Sequence, residues 1–109
     1  MALDDEKLAT IQSRLDAIWK ASKPALLERM TTLETSCETW RRHPENNEAR
    51  HAAHDAAHKL AGVLGTFDLA RGSQIASELE AMLTAPENEP LPVMPRLLAE
   101  LRQMITAKP

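Results

Sequence analysis

The chain has 109 residues, a net charge of −3 and only 3 % aromatic residues, which bounds it to one domain, residues 1–109, with a single modest core. Lysine and arginine are scattered rather than gathered into a stripe with aromatics, which argues against nucleic-acid binding, and no apolar run approaches the length of a membrane span. The acidic start, Met1 to Glu6, is unlike a secretory leader, and the lone Cys37 allows no intrachain disulfide, so a reducing, cytoplasmic setting is expected.

Ala, Leu, Glu, Lys, Arg, Gln and Met dominate, while β-branched and aromatic residues are few, so the expected class is all-α. From Asp4 to Lys20, Leu8, Ile11, Leu15, Ile18 and Trp19 recur every three or four residues and form one apolar stripe. Asp4, Asp5 and Glu6 suit the positive end of a helix dipole. Ser22 and Pro24 punctuate the next stretch, because serine caps helices and proline is tolerated in a first turn. A second helix then runs to Arg42, with Leu26, Leu27, Met30, Leu33, Cys37 and Trp40 on one side. The pattern does not distinguish two helices here from one kinked helix.

His43-Pro44-Glu45-Asn46-Asn47 reads as a turn with capping residues. The next helix runs from Asn47 to Thr66, a turn lies near Asp68, and another helix spans Ala70 to Leu83. Thr84 to Pro92 carries three prolines and is a loop, and a last helix starting near Val93 bears Leu97, Leu98, Leu101, Met104 and Ile105. Short links between amphipathic helices imply an up-and-down antiparallel four-helix bundle, with an additional N-terminal helical segment.

The helix Asn47–Thr66 carries most of the chemistry. At about 100° per residue, Ala53, Ala56, Ala57, Leu60, Val63, Leu64 and Phe67 share a core face. His51, His54, His58, Ala61, Gly62 and Gly65 share the opposite face, so three imidazoles sit among the smallest side chains. Each interior glycine costs a helix about 1 kcal/mol relative to alanine. Gly62 and Gly65 therefore either clear the surface beside an imidazole or admit a neighbouring helix, and spacing alone leaves both open. Trp19, Trp40 and the methionines read as packing residues, and His43 as a turn residue.

The stretch Ala57-His58-Lys59-Leu60-Ala61-Gly62, followed by Thr66-Phe67 and Leu69, resembles the signature of histidine phosphotransfer (HPt) domains, His-x-Leu-Lys-Gly and then small and apolar residues. The phosphotransfer domain of chemotaxis kinases is similar, with Thr-Phe at the matching place. Ser73 to Leu83, including Leu79-Glu80, looks like the family's following helix, so the resemblance covers Arg50 to Leu83, with the flanks alike in pattern. It implies a phosphoryl acceptor at His58, charge neutralisation by Lys59, and a partner-binding surface at His54, Ala61, Gly62 and Gly65. It further implies a receiver domain and a sensor histidine kinase as partners, Mg²⁺ brought by the receiver, no resident cofactor or metal, and a monomer. The domain would be a phosphotransfer intermediate without kinase activity, and the chain has no glycine-rich phosphate loop.

Two positions depart from the pattern. Ala61 stands where the family has lysine, with Lys59 as its displaced substitute, and Asp68 stands where glycine often serves a left-handed turn. Asp68 can instead cap the following helix. Three other readings compete. His51, His54 and His58 have the helical spacing of a metal site. The chain can also be a silent interaction module that kept the bundle, or the dimerisation helix of a sensor kinase. The last lacks its acid and proline after the histidine.

Overall fold

The computed structural model describes residues 4–109, and the first three residues of the N-terminal run discussed above, Met1-Ala2-Leu3, lie outside it. Four helices follow in order: α1 (Asp5–Arg42), α2 (Asn47–Thr66), α3 (Ala70–Met82) and α4 (Met94–Ala107), with no strand among the described residues. Each packs on two others. α2 contacts α1 and α3, and α4 closes the ring by contacting α3 and α1. Between them lies one core that includes Trp19, Met30, Leu33, Trp40, Leu60, Leu64, Ile75, Leu79, Leu101 and Ile105.

Local chemistry explains the boundaries. The Asp4 carboxylate accepts from the Lys7 amide at 2.8 Å and starts α1. Asn46 does the same for α2, accepting from the Ala49 amide at 2.9 Å. α4 begins with proline in its first turn, where the missing N–H had no partner. The buried Arg50 donates to the Leu83 carbonyl at 2.8 Å, so the first turn of α2 caps the end of α3.

The stretch from Asp5 to Arg42 is one helix of 38 residues, and it runs through Pro24. Proline removes one backbone hydrogen bond, to the Lys20 carbonyl. Both Lys20 and Pro24 are exposed, so solvent can satisfy that carbonyl, while Trp19 and Leu26 hold the two sides on the core. The expected additional segment is thus the front of α1 rather than a separate helix.

The apolar stripe at that front is also placed differently from its usual meaning. Trp19 is buried, but Leu8, Ile11 and Ile18 are exposed and Leu15 is only half-covered. The reason is length. At 1.5 Å per residue α1 spans about 57 Å, whereas α3 and α4 are each about 20 Å long. The molecule measures 54 × 27 × 21 Å, so α1 sets its long axis.

Trp19 marks where the core ends. Its ring meets Phe67 edge-on at 5.2 Å between centroids, and Lys23 donates to the Thr106 carbonyl at 2.9 Å. The Lys108 ammonium donates to the Phe67 carbonyl and lies 5.3 Å from the Trp19 ring. On the opposite flank Arg102 of α4 grips the Glu34 carboxylate of α1 through Nε and a terminal nitrogen, at 2.6 to 3.0 Å.

Asp68 adopts φ 61°, the left-handed conformation, and Leu69 rather than Asp68 occupies the cap position of α3, without a side-chain capping bond. Asp68 therefore serves the turn and not the helix. A β-branched residue tolerates this conformation poorly, and Asp68→Val should cost about 1–2 kcal/mol in urea unfolding, with the wild-type m-value retained.

Cys37 lies in the core, as its helical phase predicts, and burial pushes its thiol up to about 12. At pH 8 only about 0.01 % is then thiolate, the species that reacts. The expected result is no labelling of the native protein by iodoacetamide at pH 8 and stoichiometric labelling in denaturant.

Candidate functional site

α2 buries Ala53, Ala56, Ala57, Leu60 and Leu64, with Phe67 buried at its end and Val63 half-covered, which reproduces the face derived from helical phase. The strip left open is built around His58. Its side chain is 69 % exposed, against 30 % for His54. The His54 ring lies parallel to it, with centroids 6.4 Å apart, and is more covered. His51 is exposed at the first turns and contacts Arg50.

His58 has one partner from outside α2. Its Nδ1 lies 3.0 Å from both carboxylate oxygens of Glu80 on α3. An ionised carboxylate only accepts hydrogen bonds, so the ring proton of the neutral imidazole belongs on Nδ1. Nε2 then carries the lone pair. Glu80 therefore selects the tautomer and fixes the ring plane, the role a carboxylate plays beside many working histidines. Glu80 is itself mostly covered, which restricts its motion.

Two other contacts set the position of α3 against α2. The Ser73 hydroxyl donates to the Ala61 carbonyl at 2.6 Å, one turn beyond His58. The second is the Arg50 tie to the Leu83 carbonyl at the other end of the pair. Ser73 and Glu80 are seven residues apart on α3, two helical turns, and so lie on one face. Sequence reasoning does not single out Glu80 as a functional residue. The available signal is this pairing of polar residues beside the apolar stripe Ile75, Leu79 and Leu83.

The small residues separate into two kinds. A Cβ built on Gly62 meets nothing within 4 Å, so that position is open surface. A Cβ on Gly65 lies 3.6 Å from the Ser73 hydroxyl oxygen, which places Gly65 beside α3. Ala61 is half-covered, with its carbonyl taken by Ser73. Clearance next to His58 thus comes from Gly62, while Ala61 and Gly65 border the neighbouring helix.

Lys59 lies around the helix from Glu80. It lines an open groove of ≈ 330 Å³ between α1 and α2, with Glu28, Arg29, Thr32 and Asp55. The Glu80 carboxylate thus stands on the α3 side of His58, and the groove on the α1 side holds both signs of charge, Arg29 and Lys59 with Glu28 and Asp55. Among the described residues no three His, Cys, Asp or Glu side chains converge as a metal-ligand set, so the histidines of α2 do not gather the further donors a metal site needs.

A model of the Hpt domain family matches residues 5–108. The chain belongs to the Hpt family. Hpt domains carry out histidine phosphotransfer in phosphorelays and interact there with receiver domains and kinases. No curated protein and no solved structure matches the chain. No described helix of this Hpt domain is long and apolar enough to cross a membrane.

Removing the carboxylate should unlock the ring while leaving His58 in place. In Glu80→Gln, ¹⁵N NMR should show His58 shifting from the Nδ1–H tautomer toward a mixture. On the role proposed below, phosphoryl uptake should also slow, by about tenfold on the scale known for carboxylates that orient metal-ligating histidines. An unchanged tautomer would remove Glu80 from this role.

Proposed function

We propose that this Hpt domain carries the phosphoryl group on Nε2 of His58, taking it from the aspartyl phosphate of one receiver domain and passing it to another. The observation that supports this reading is the His58–Glu80 contact, which leaves a highly exposed imidazole with its lone pair on the outward nitrogen. In the forward step Nε2 attacks phosphorus in line. The bond from phosphorus to the aspartyl oxygen breaks, and the receiver's carboxylate leaves with the electron pair. The Nδ1 proton stays on the ring, and Glu80 faces the positive charge that the phosphorylated imidazole acquires. Such transfer depends on positioning and charge neutralisation more than on covalent help from the donor.

The roles of the other residues follow. Gly62 lets the receiver approach the ring, and His54, Ala61 and Gly65 form the surrounding contact surface. Lys59 offsets phosphoryl charge from the groove side, because its flexible stem can carry the ammonium toward the ring. The receiver brings Mg²⁺, and a sensor histidine kinase performs the ATP-dependent step upstream, so this domain acts as an intermediate. We read the scaffold as an up-and-down antiparallel bundle in the cytoplasm, since the partners of successive α2 residues, Arg50, His58 and Ala61, step backwards along the chain through Leu83, Glu80 and Ser73.

Incubation with phosphorylated receivers encoded in the same genome should yield acid-labile, alkali-stable phosphate on the domain. His58→Gln should abolish it with helicity unchanged, and His54→Ala should retain it. Loss in His54→Ala with retention in His58→Gln would move the acceptor to His54. Failure of the wild type to label with any receiver would leave a silent module.

A further inference from the structure

Three imidazoles stand on the open strip of α2, and two of them form a pair that phosphotransfer alone does not need. His58 Nδ1 lies 3.0 Å from both Glu80 oxygens, and His54 Nδ1 lies 3.3 Å from a carboxylate oxygen of Asp55. An ionised carboxylate only accepts, so in both neutral rings the proton sits on Nδ1 and the lone pair on Nε2. The residues are four apart, one helical turn, and so stand one above the other. Their ring planes differ by only 5°, with centroids 6.4 Å apart. Two lone pairs of one kind are therefore presented side by side, each ring backed by a carboxylate.

A metal-ligating histidine is held in the same way, its second ring N–H bonded to a carboxylate, a carbonyl or water. We propose that His54 and His58 form an open two-nitrogen chelate for a late first-row divalent cation such as Zn²⁺, bound through Nε2 of both rings. Neutral imidazole suits this class of cation, whereas Mg²⁺ prefers oxygen ligands. Among the described residues the pair lacks the further ligands that hold a resident metal, so water completes the coordination and the cation exchanges. Closing the chelate brings the two nitrogens to about 3 Å from one another, each about 2.0–2.1 Å from the cation. Glu80 holds His58, so His54 makes the adjustment by rotating its ring. Its contact with Asp55 is the longer of the two, and the Asp55 side chain is 70 % exposed and can follow.

His51 is excluded by its partner. Its Nε2 lies 3.3 Å from an Arg50 terminal nitrogen, which only donates, so that lone pair is already taken. The guanidinium beside it also opposes a second cation. The chelating pair is therefore His54 with His58, although His51 with His54 has a helical spacing too.

A cation on Nε2 of His58 occupies the lone pair that attack on phosphorus needs, so cation and phosphoryl group exclude each other at this atom. That consequence rests on the phosphotransfer reading, and the chelate itself does not. Calorimetric titration of Zn²⁺ alone into the full chain tests the chelate. The expected result is one saturable site, absent with Mg²⁺, lost in His54→Ala and in His58→Gln, and kept in His51→Ala. Glu80→Gln should weaken it by about tenfold or more, the scale for losing a carboxylate behind a ligating histidine. In ¹⁵N NMR the Nε2 signals of His54 and His58 should shift together while both Nδ1 atoms stay protonated. Binding that survives His54→Ala, or a shift confined to one ring, would mean an adventitious ion only and overturn the proposal. Phosphoryl uptake from a phosphorylated receiver gives a separate readout. Saturating Zn²⁺ should suppress it in the wild type and much less in His54→Ala, each compared with its own metal-free rate, and uptake indifferent to Zn²⁺ would overturn the competition. A wild type that binds Zn²⁺ through both rings but labels with no receiver would overturn the phosphotransfer reading and leave the chelate standing.

Discussion

Helix α2 lies between α1 and α3, and much of its contact with them is through alanine. Ala53, Ala56 and Ala57 are buried, with Leu60, Leu64 and Phe67 filling the wider end of the core. Small side chains allow close approach of two neighbours on adjoining flanks of one helix, because packing distance is set by what stands at the contact. The rest of the site depends on that closeness. Glu80 reaches His58 at 3.0 Å from another helix, and a bulkier residue at Ala57 would push the two apart. Overpacking of this kind costs about 1–3 kcal/mol where the backbone must shift.

Closeness alone does not align one helix with another. Here a hydroxyl sets the register. Ser73 binds the Ala61 carbonyl, and two turns further along the same face Glu80 arrives at the level of His58. A second fixed point lies at the far end, where Arg50 holds the Leu83 carbonyl. The His58 ring is thus positioned between two polar ties from α2 to α3. Both ties sit next to a core that resists sliding, which suits the proposed role of His58, where a side chain must hold a defined orientation.

Much of this was legible in the sequence. Helical phase found the buried face of α2 and the burial of Cys37 and both tryptophans, and composition placed Asp4 at a helix N-terminus and capping residues in the Asn46 region. The motif around His58 pointed to the family. The missing parts share a cause: they depend on which element faces which. Periodicity reports that Leu8, Ile11 and Ile18 lie on one apolar face, but it cannot report that the bundle ends at Trp19. Glu80 is 22 residues from His58, and only the register of α3 on α2 makes them neighbours. Gly62 and Gly65 are alike in sequence, yet one meets open space and the other meets Ser73.

The empty space at Gly62 has a thermodynamic meaning. A methyl group there would touch nothing, so the fold itself gives no reason to forgo alanine within the last two turns of a 20-residue helix. Alanine at such a site stabilises a helix by about 1 kcal/mol. The domain therefore sits below the stability its own scaffold would permit, and the shortfall is concentrated one turn from the imidazole. This is the pattern of a trade between folding and accessibility, localised to a single α-carbon.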